Sequence, residues 1–423
     1  MGRLVRGTWP ANPSGGRRAD RLPCRYDAFV PDALRDLPLV LPAAVTATVA
    51  DAERDIAALN ASDVRLVSTE GVARILLRAE SVASSRIEGL EVGGRHLAKL
   101  AAARTEGAEL RDATAEAVLA NIHAMVRAIE LADRDAPLTV ADLCDIHATL
   151  VADELPEEHT GRVRTEQNWI GGSSYNPCNA AFVPPPHELV PALLDDLMAF
   201  VAADTLPPLV QAAVAHAQFE TIHPFVDGNG RVGRALVHVV LRRRGLAPRF
   251  VPPISLALAT ASRDYVRGLT AFRTVGAPDS AAATAGVAEW VDVFAAAALR
   301  ATADARAFAA RLTDLEQGWR TQAHPVRSGS ATDLLLAALP GVPVVTVGTA
   351  AALIGRSFQA TNEAVARLVD AGVLEQVTLG RRHRAFEAAG LIDALTAFER
   401  SLAVPEETDT TRPARPVPRR AGT

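Results

Sequence analysis

The residues best equipped for chemistry form one uninterrupted string: His223-Pro224-Phe225-Val226-Asp227-Gly228-Asn229-Gly230-Arg231-Val232-Gly233-Arg234. A helical pattern over 208–223 ends on the histidine and sets an imidazole at the mouth of a loop. With an ordinary pKa of about 6.5, that imidazole suits general-base work near neutral pH. Gly228, Asn229 and Gly230 tolerate positive φ and let backbone N–H groups converge on one concavity. A second helical pattern, 230–245, starts at once, so its unpaired N–H groups and positive dipole end face the same space. The result is an anion nest suited to phosphates. Arg231 and Arg234, three apart on a helical face, can grip further phosphate oxygens, and Asp227 is placed to hold Mg²⁺ against them.

A second constellation lies upstream. Val72, Ile75, Leu76, Ala79, Val82, Ala83 and Ile87 recur at the spacing of one apolar helical face over 69–87. Gly89 stands where a left-handed C-cap would end that helix. Ser84 and Glu88, four apart, share a face at its last turn. Between 160 and 186 the helical period stops. Gly-Gly, Asn-Pro and a triple proline there suggest a hairpin or flap, running from Trp169-Ile170-Gly171-Gly172 to Phe182-Val183-Pro184-Pro185.

The string from His223 to Arg234 resembles the active-site motif of the Fic family, H-P-F-x-D-G-N-G-R-x-x-R, at every fixed position. Ser84-Ser85-Arg86-Ile87-Glu88-Gly89 resembles the family's inhibitory signature, (S/T)-x-x-x-E-(G/N). The resemblance implies a mainly α fold: a Fic helical core with a β-hairpin flap and a small C-terminal winged-helix domain. It implies transfer of AMP from Mg·ATP to a Ser, Thr or Tyr hydroxyl of a target protein. His223 would then deprotonate the hydroxyl, Asp227 would bind Mg²⁺, and the loop from Pro224 to Gly230 would hold the phosphates, with Phe225 anchoring it in the core. Glu88 would pair with Arg234 and misalign ATP, and the flap would register the target by backbone pairing. Tyr265 matches a family tyrosine near the nucleotide, although a core tyrosine fits the same pattern. His216, two turns before His223, reads as a packed core histidine.

Two further readings belong to other classes. One is a DNA-binding regulator that uses the pocket only to sense nucleotide. The other is an enzyme with the same loop that moves a different nucleotide or removes AMP.

The bulk properties fit a globular chain of 423 residues with 49% hydrophobic and 22% charged residues. A net charge of -5 excludes a global basic field toward nucleic acid or anionic membrane. Cys24, Cys144 and Cys178 show no C-x-x-C spacing, which suggests neither a disulfide framework nor a zinc site and fits a reducing cytosol. No signal-peptide pattern or apolar run of membrane-spanning length stands out, so the expectation is a cytoplasmic protein without a membrane partner.

Five parts are expected along the chain. They are a flexible arm over 1–25, a helical region with the inhibitory helix over 26–110, the catalytic core over 111–320, a winged helix over 332–400 and a disordered tail over 403–423. Helical patterns are read over 256–275 and 285–318, with a linker over 321–331. The wing carries Gly380-Arg381-Arg382-His383-Arg384, and 358–370 offers Gln359, Thr361, Asn362 and Arg367, so DNA is a candidate partner. Protein docking or homodimer packing, the latter through the helix over 285–318, is the alternative.

Overall fold

The computed structural model describes residues 1–12, 16–61, 69–105, 107, 112–379 and 383–401. Strand β1 (Gly2–Trp9) pairs antiparallel with β2 (Cys24–Pro31), in a register that sets Arg6 opposite Asp27 and Trp9 opposite Cys24. The short helix α1 (Arg18–Arg21) lies between them. The expected flexible arm is therefore a docked hairpin. Gly2 bridges Gly276, and the N-terminal ammonium donates to the Thr274 carbonyl. Composition alone suggests a loose arm because one edge of this pairing comes from far along the chain.

Helices follow in order: α2 (Ala43–Ala61), α3 (Thr69–Ile87), α4 (Gly94–Thr105), α5 (Ala113–Ala132), α6 (Val140–Val151), α7 (Val190–Ala202), α8 (Pro208–Ile222) and α9 (Asn229–Arg243). Every residue of α8 from Leu209 to Ile222 is buried, as expected of a helix at the centre of a helical core. It starts on Pro208, whose missing N–H costs nothing in a first turn. It ends because His223 precedes Pro224, which disfavours the right-handed conformation. His223 instead caps the helix left-handed, at φ 50°, and its N–H donates to the Phe219 carbonyl.

Helix α9 crosses α8 so closely that a Cβ on Gly233 would lie 2.7 Å from Glu220 Oε1 and 2.9 Å from Phe219 Cδ1. Glycine is required there by contact rather than by φ. The pattern over 256–275 resolves into two helices, α10 (Ile254–Thr260) and α11 (Ser262–Phe272), broken at Ala261. Helix α12 (Ala281–Gln322) is longer than expected and runs into the supposed linker. By length and composition it could span a membrane, but its apolar window is 56% buried within the chain, packed along α2, α10 and α11.

The C-terminal part runs α13 (Ala331–Ala338), β3 (Val344–Val345), α14 (Val347–Ile354), α15 (Phe358–Asp370), β4 (Leu374–Leu379), β5 (His383–Ala388) and α16 (Leu391–Ser401), its three strands forming one antiparallel sheet in the order β3-β5-β4. Thr346 and Ser357 cap α14 and α15 through their hydroxyls, and Gly355 closes α14 left-handed. Gly380, Arg381, Arg382 and the segment 403–423 lie outside the described residues.

Two large cores divide the molecule. One surrounds α8 and α9. The other joins the outer face of α3 (Val72, Ile75, Leu76, Ala79, Ala83) to Leu335, Leu336, Leu339 and Leu368 of the C-terminal part. The helix expected to carry inhibition is thus gripped from both sides.

Candidate active site

The loop between α8 and α9 is braced from below. Phe225 is fully buried and stacks on His147 of α6, with ring centroids 3.9 Å apart. The Gly161 N–H donates to His147 Nδ1 at 3.0 Å, so the proton sits on Nε2, which donates to the Asp227 carbonyl at 3.1 Å. Burial pushes the His147 pKa down to about 4, which keeps this tautomer neutral. Asn229 closes the loop on itself: Phe225 N–H donates to Oδ1 at 2.8 Å, and Nδ2 donates to the Phe225 carbonyl at 2.9 Å. Its buried side chain is therefore a loop staple rather than a phosphate ligand.

From the other side, Arg164 donates to the carbonyls of His223, Glu166 and Pro185, and Asn168 donates to those of His223 and Phe225. His147, Arg164 and Asn168 escape a reading of the sequence because a lone residue in a helix or flap carries no spacing signal.

Of Gly228, Asn229 and Gly230, only Gly228, at φ 76°, uses the left-handed region. Gly230 is helical, and its missing Cβ serves another purpose: a Cβ there would collide with the Glu88 carboxylate. That carboxylate reaches over the start of α9, where backbone N–H groups lack intrahelical partners. Arg234 Nη2 donates to Glu88 Oε1 at 2.7 Å and to the Ser84 carbonyl at 2.9 Å, and Nε donates to Ser84 Oγ at 2.8 Å. Gly89 caps α3 at φ 80°. Burial pushes the Glu88 carboxyl up, but Arg234 and Arg231 outweigh it, and the carboxyl ends below its ordinary range.

Helix α3 is pinned further back. Glu80 lies 2.9 Å from His238 Nε2 of α9 and accepts from Ser255, and Asn121 of α5 donates to the Ser81 carbonyl and Ser85 Oγ.

Arg231 does not stand beside Arg234 as expected. It makes two hydrogen bonds to Glu154, at 2.9 and 3.0 Å, and is only 4% exposed. Helical positions three apart still differ by about 60° around the axis, and each arginine meets its own carboxylate. Tyr265 is a core residue, its hydroxyl 2.8 Å from His216 Nε2 beneath α9, rather than a surface for a base or ribose.

His223 is a half-buried residue whose Nδ1 is buried without a hydrogen-bond partner among the described residues. Burial, with Arg273 and Arg164 nearby, pushes its pKa down to about 3. Burial and Arg234 push that of His216 to about 3, whereas burial pushes Glu220 up to about 7. In the unfolded chain these imidazoles bind protons near pH 6.5, but in the folded chain they do so only near 3 or 4. Their contribution to stability is full above 6.5 and is lost as pH falls. Glu220 acts oppositely, its contribution being lost between about 4.5 and 7 as pH rises. Burial pushes Glu316 up to about 7 as well, and three imidazoles against two such carboxyls still make stability fall from pH 6.5 toward 4.5. Urea midpoints measured across that range check the sign, and a midpoint that rises on acidification would show the imidazoles are not shielded.

The flap meets the expectation in part. Ile170 bridges Phe182 as a single antiparallel pair, without a ladder. The Arg273 guanidinium sits 3.8 Å over the Phe182 ring and also donates to the Glu220 carbonyl and Thr221 Oγ1, tying the flap to α8. Contrary to expectation, Cys24 and Cys178 form a disulfide across 154 residues. Spacing reveals local motifs, whereas this pair is made by the N-terminal hairpin folding onto the flap.

Residues 137–241 match the Fic/DOC family model, and residues 46–130 match the Fic/DOC family N-terminal model. Protein adenylyltransferase fic-1 of Caenorhabditis elegans is 30% identical over 118 residues, 27% of this chain and 21% of that protein. Protein adenylyltransferase Fic of Drosophila willistoni is 32% identical over 118 residues, 27% of this chain and 22% of that protein. The match thus spans about a fifth of the length of these relatives. A Fic family protein from Desulfovibrio desulfuricans G20 shares the fold, with a TM-score of 0.51 at 23% identity, covering 84% of this chain and 98% of that one.

Proposed function

Because this chain belongs to the Fic/DOC family, we propose that it is a protein adenylyltransferase: it moves AMP from Mg·ATP to a Ser, Thr or Tyr hydroxyl and is held back by Glu88. One observation carries the reading. The Glu88 carboxylate rests at the N-terminal end of α9, on Arg234, with Gly230 left bare to admit it. A carboxylate held there marks an anion site and competes with a phosphate for it.

With Glu88 displaced, the triphosphate lies along the loop and Arg234. The target hydroxyl oxygen bonds to the α-phosphorus, the bond to the bridging oxygen breaks, and pyrophosphate leaves with its electron pair. His223 accepts the hydroxyl proton. An anionic substrate beside the imidazole raises its pKa from the depressed value toward working pH. Asp227 is exposed, and its Oδ1 accepts the Gly228 N–H at 2.6 Å beside the start of α9. That suits Mg²⁺, which commonly takes one or two carboxylates plus substrate phosphates and would neutralise phosphate charge.

A purely nucleotide-sensing regulator would need neither His223 nor Asp227. The test supplies ATP labelled on the α-phosphate to the Glu88→Gly chain with a cell lysate. Label on protein, equal to pyrophosphate released, supports the reading. Label from the γ-phosphate, or removal of AMP from pre-labelled protein without addition, overturns it.

A further inference from the structure

The N-terminal hairpin is joined to the flap at several places. Cys24 is bonded to Cys178, Trp9 packs edge-on to Trp169 with centroids 5.1 Å apart, and the Phe29 N–H donates to the Val183 carbonyl. Ser173 Oγ donates to Asp20 at 2.7 Å, and Asn176 Nδ2 donates to the Asp20 carbonyl. The strand register explains this. Trp9 and Cys24 are opposite one another and share the face turned to the flap, while Arg6, Thr8, Arg25 and Asp27 share the outward, exposed face.

Residues 1–31 hold Arg3, Arg6, Arg17, Arg18, Arg21 and Arg25 against Asp20 and Asp27, in a chain whose net charge is -5. Asp27 is spent on Arg6, and Asp20 on the flap and the Arg17 N–H. Arg17, Arg18, Arg21 and Arg25 are exposed around the tip that grips Ser173–Cys178.

Resting on the adenylyltransferase reading, we infer that this arginine collar selects the target. It draws in protein segments with acidic residues beside the hydroxyl to be modified. A flap that pairs through backbone reads little sequence. The exposed cations carried by the hairpin beside its tip add charge selection, and fields of this kind act over about 10 Å at 0.1 M salt. Exposed Glu166 and Glu188 near the flap base leave that end less positive, so the preference belongs to the tip side.

The experiment uses the full Glu88→Gly chain, Mg·ATP labelled on the α-phosphate, and two tyrosine peptides of equal length flanked by glutamates or by lysines. The acidic peptide is expected to be labelled at least about tenfold faster, with the advantage fading as salt rises. Arg18→Glu with Arg25→Glu, at exposed positions, should bring the ratio near one while self-labelling stays unchanged. Equal labelling by the parent, a ratio untouched by the substitutions, or tighter binding of duplex DNA than of the acidic peptide overturns the inference. Should neither peptide nor the chain itself take label, the underlying AMP-transfer reading fails, a result distinct from lost selectivity. If the double variant misfolds by circular dichroism, fluorescence polarisation of both peptides on the parent across salt decides instead. Tighter, salt-sensitive binding of the acidic peptide supports the collar, and equal binding overturns it.

Discussion

Replacing His223 with alanine in the Glu88→Gly chain is expected to slow AMP transfer a hundredfold to about ten-thousandfold, the usual cost of losing a general base. ATP binding should hardly change. The loop keeps its brace from His147 and Asn229, and Arg234 keeps its place, because none of these contacts involves the His223 imidazole. The backbone at 223 is left-handed, which strains alanine. His223→Asn is the companion variant, since asparagine tolerates that conformation yet cannot act as the base. Single-turnover labelling at saturating Mg·ATP, with nucleotide affinity measured separately, checks both. Transfer within threefold of the parent by either variant would remove His223 from the chemistry.

The second large effect is a gain. Glu88→Gly should raise transfer by roughly five- to thirtyfold. An ion pair near a surface is worth up to about 4 kcal/mol at an effective dielectric of 20. The Glu88 side chain is 40% exposed, so screening leaves roughly 1–2 kcal/mol, and about 1.4 kcal/mol is tenfold. A cost accompanies the gain. Arg234 is 2% exposed and would lose its carboxylate partner while keeping Ser84, so thermal stability without nucleotide should fall. Mg·ATP should then restore more stability to the variant than to the parent, because only the variant presents the whole anion site. If nucleotide stabilises the two equally, Glu88 does not compete for that site.

The string around His223 and the helix bearing Glu88 are legible in the sequence because their logic is local. A proline after a histidine ends α8, glycine permits the loop, and i to i+4 spacing aligns Ser84 with Glu88. Arg231 departs from expectation for the opposite reason. Its partner, Glu154, comes from beyond the end of α6, and no spacing within α9 announces it. For Tyr265 the sequence allows two readings, and the contact with His216 decides for the core. The hairpin, the disulfide and the role of His147 are hidden because each depends on contact between segments well separated along the chain. Helix existence is mostly legible. The break at Ala261 and the length of α12 are not, since alanine-rich sequence continues a helical pattern equally well on either side of a break.

Helix α3 owes its outer wall to residues more than 250 positions downstream, where a Cβ on Gly341 would lie 2.9 Å from the Gly71 Cα. Cutting the chain after Gln322 would turn Val72, Ile75 and Leu76 toward water as an adhesive strip, along with the far half of α12. Shortened versions should therefore clump before they report anything about restraint, and a proteolytic nick in that stretch would loosen the catalytic half from a distance.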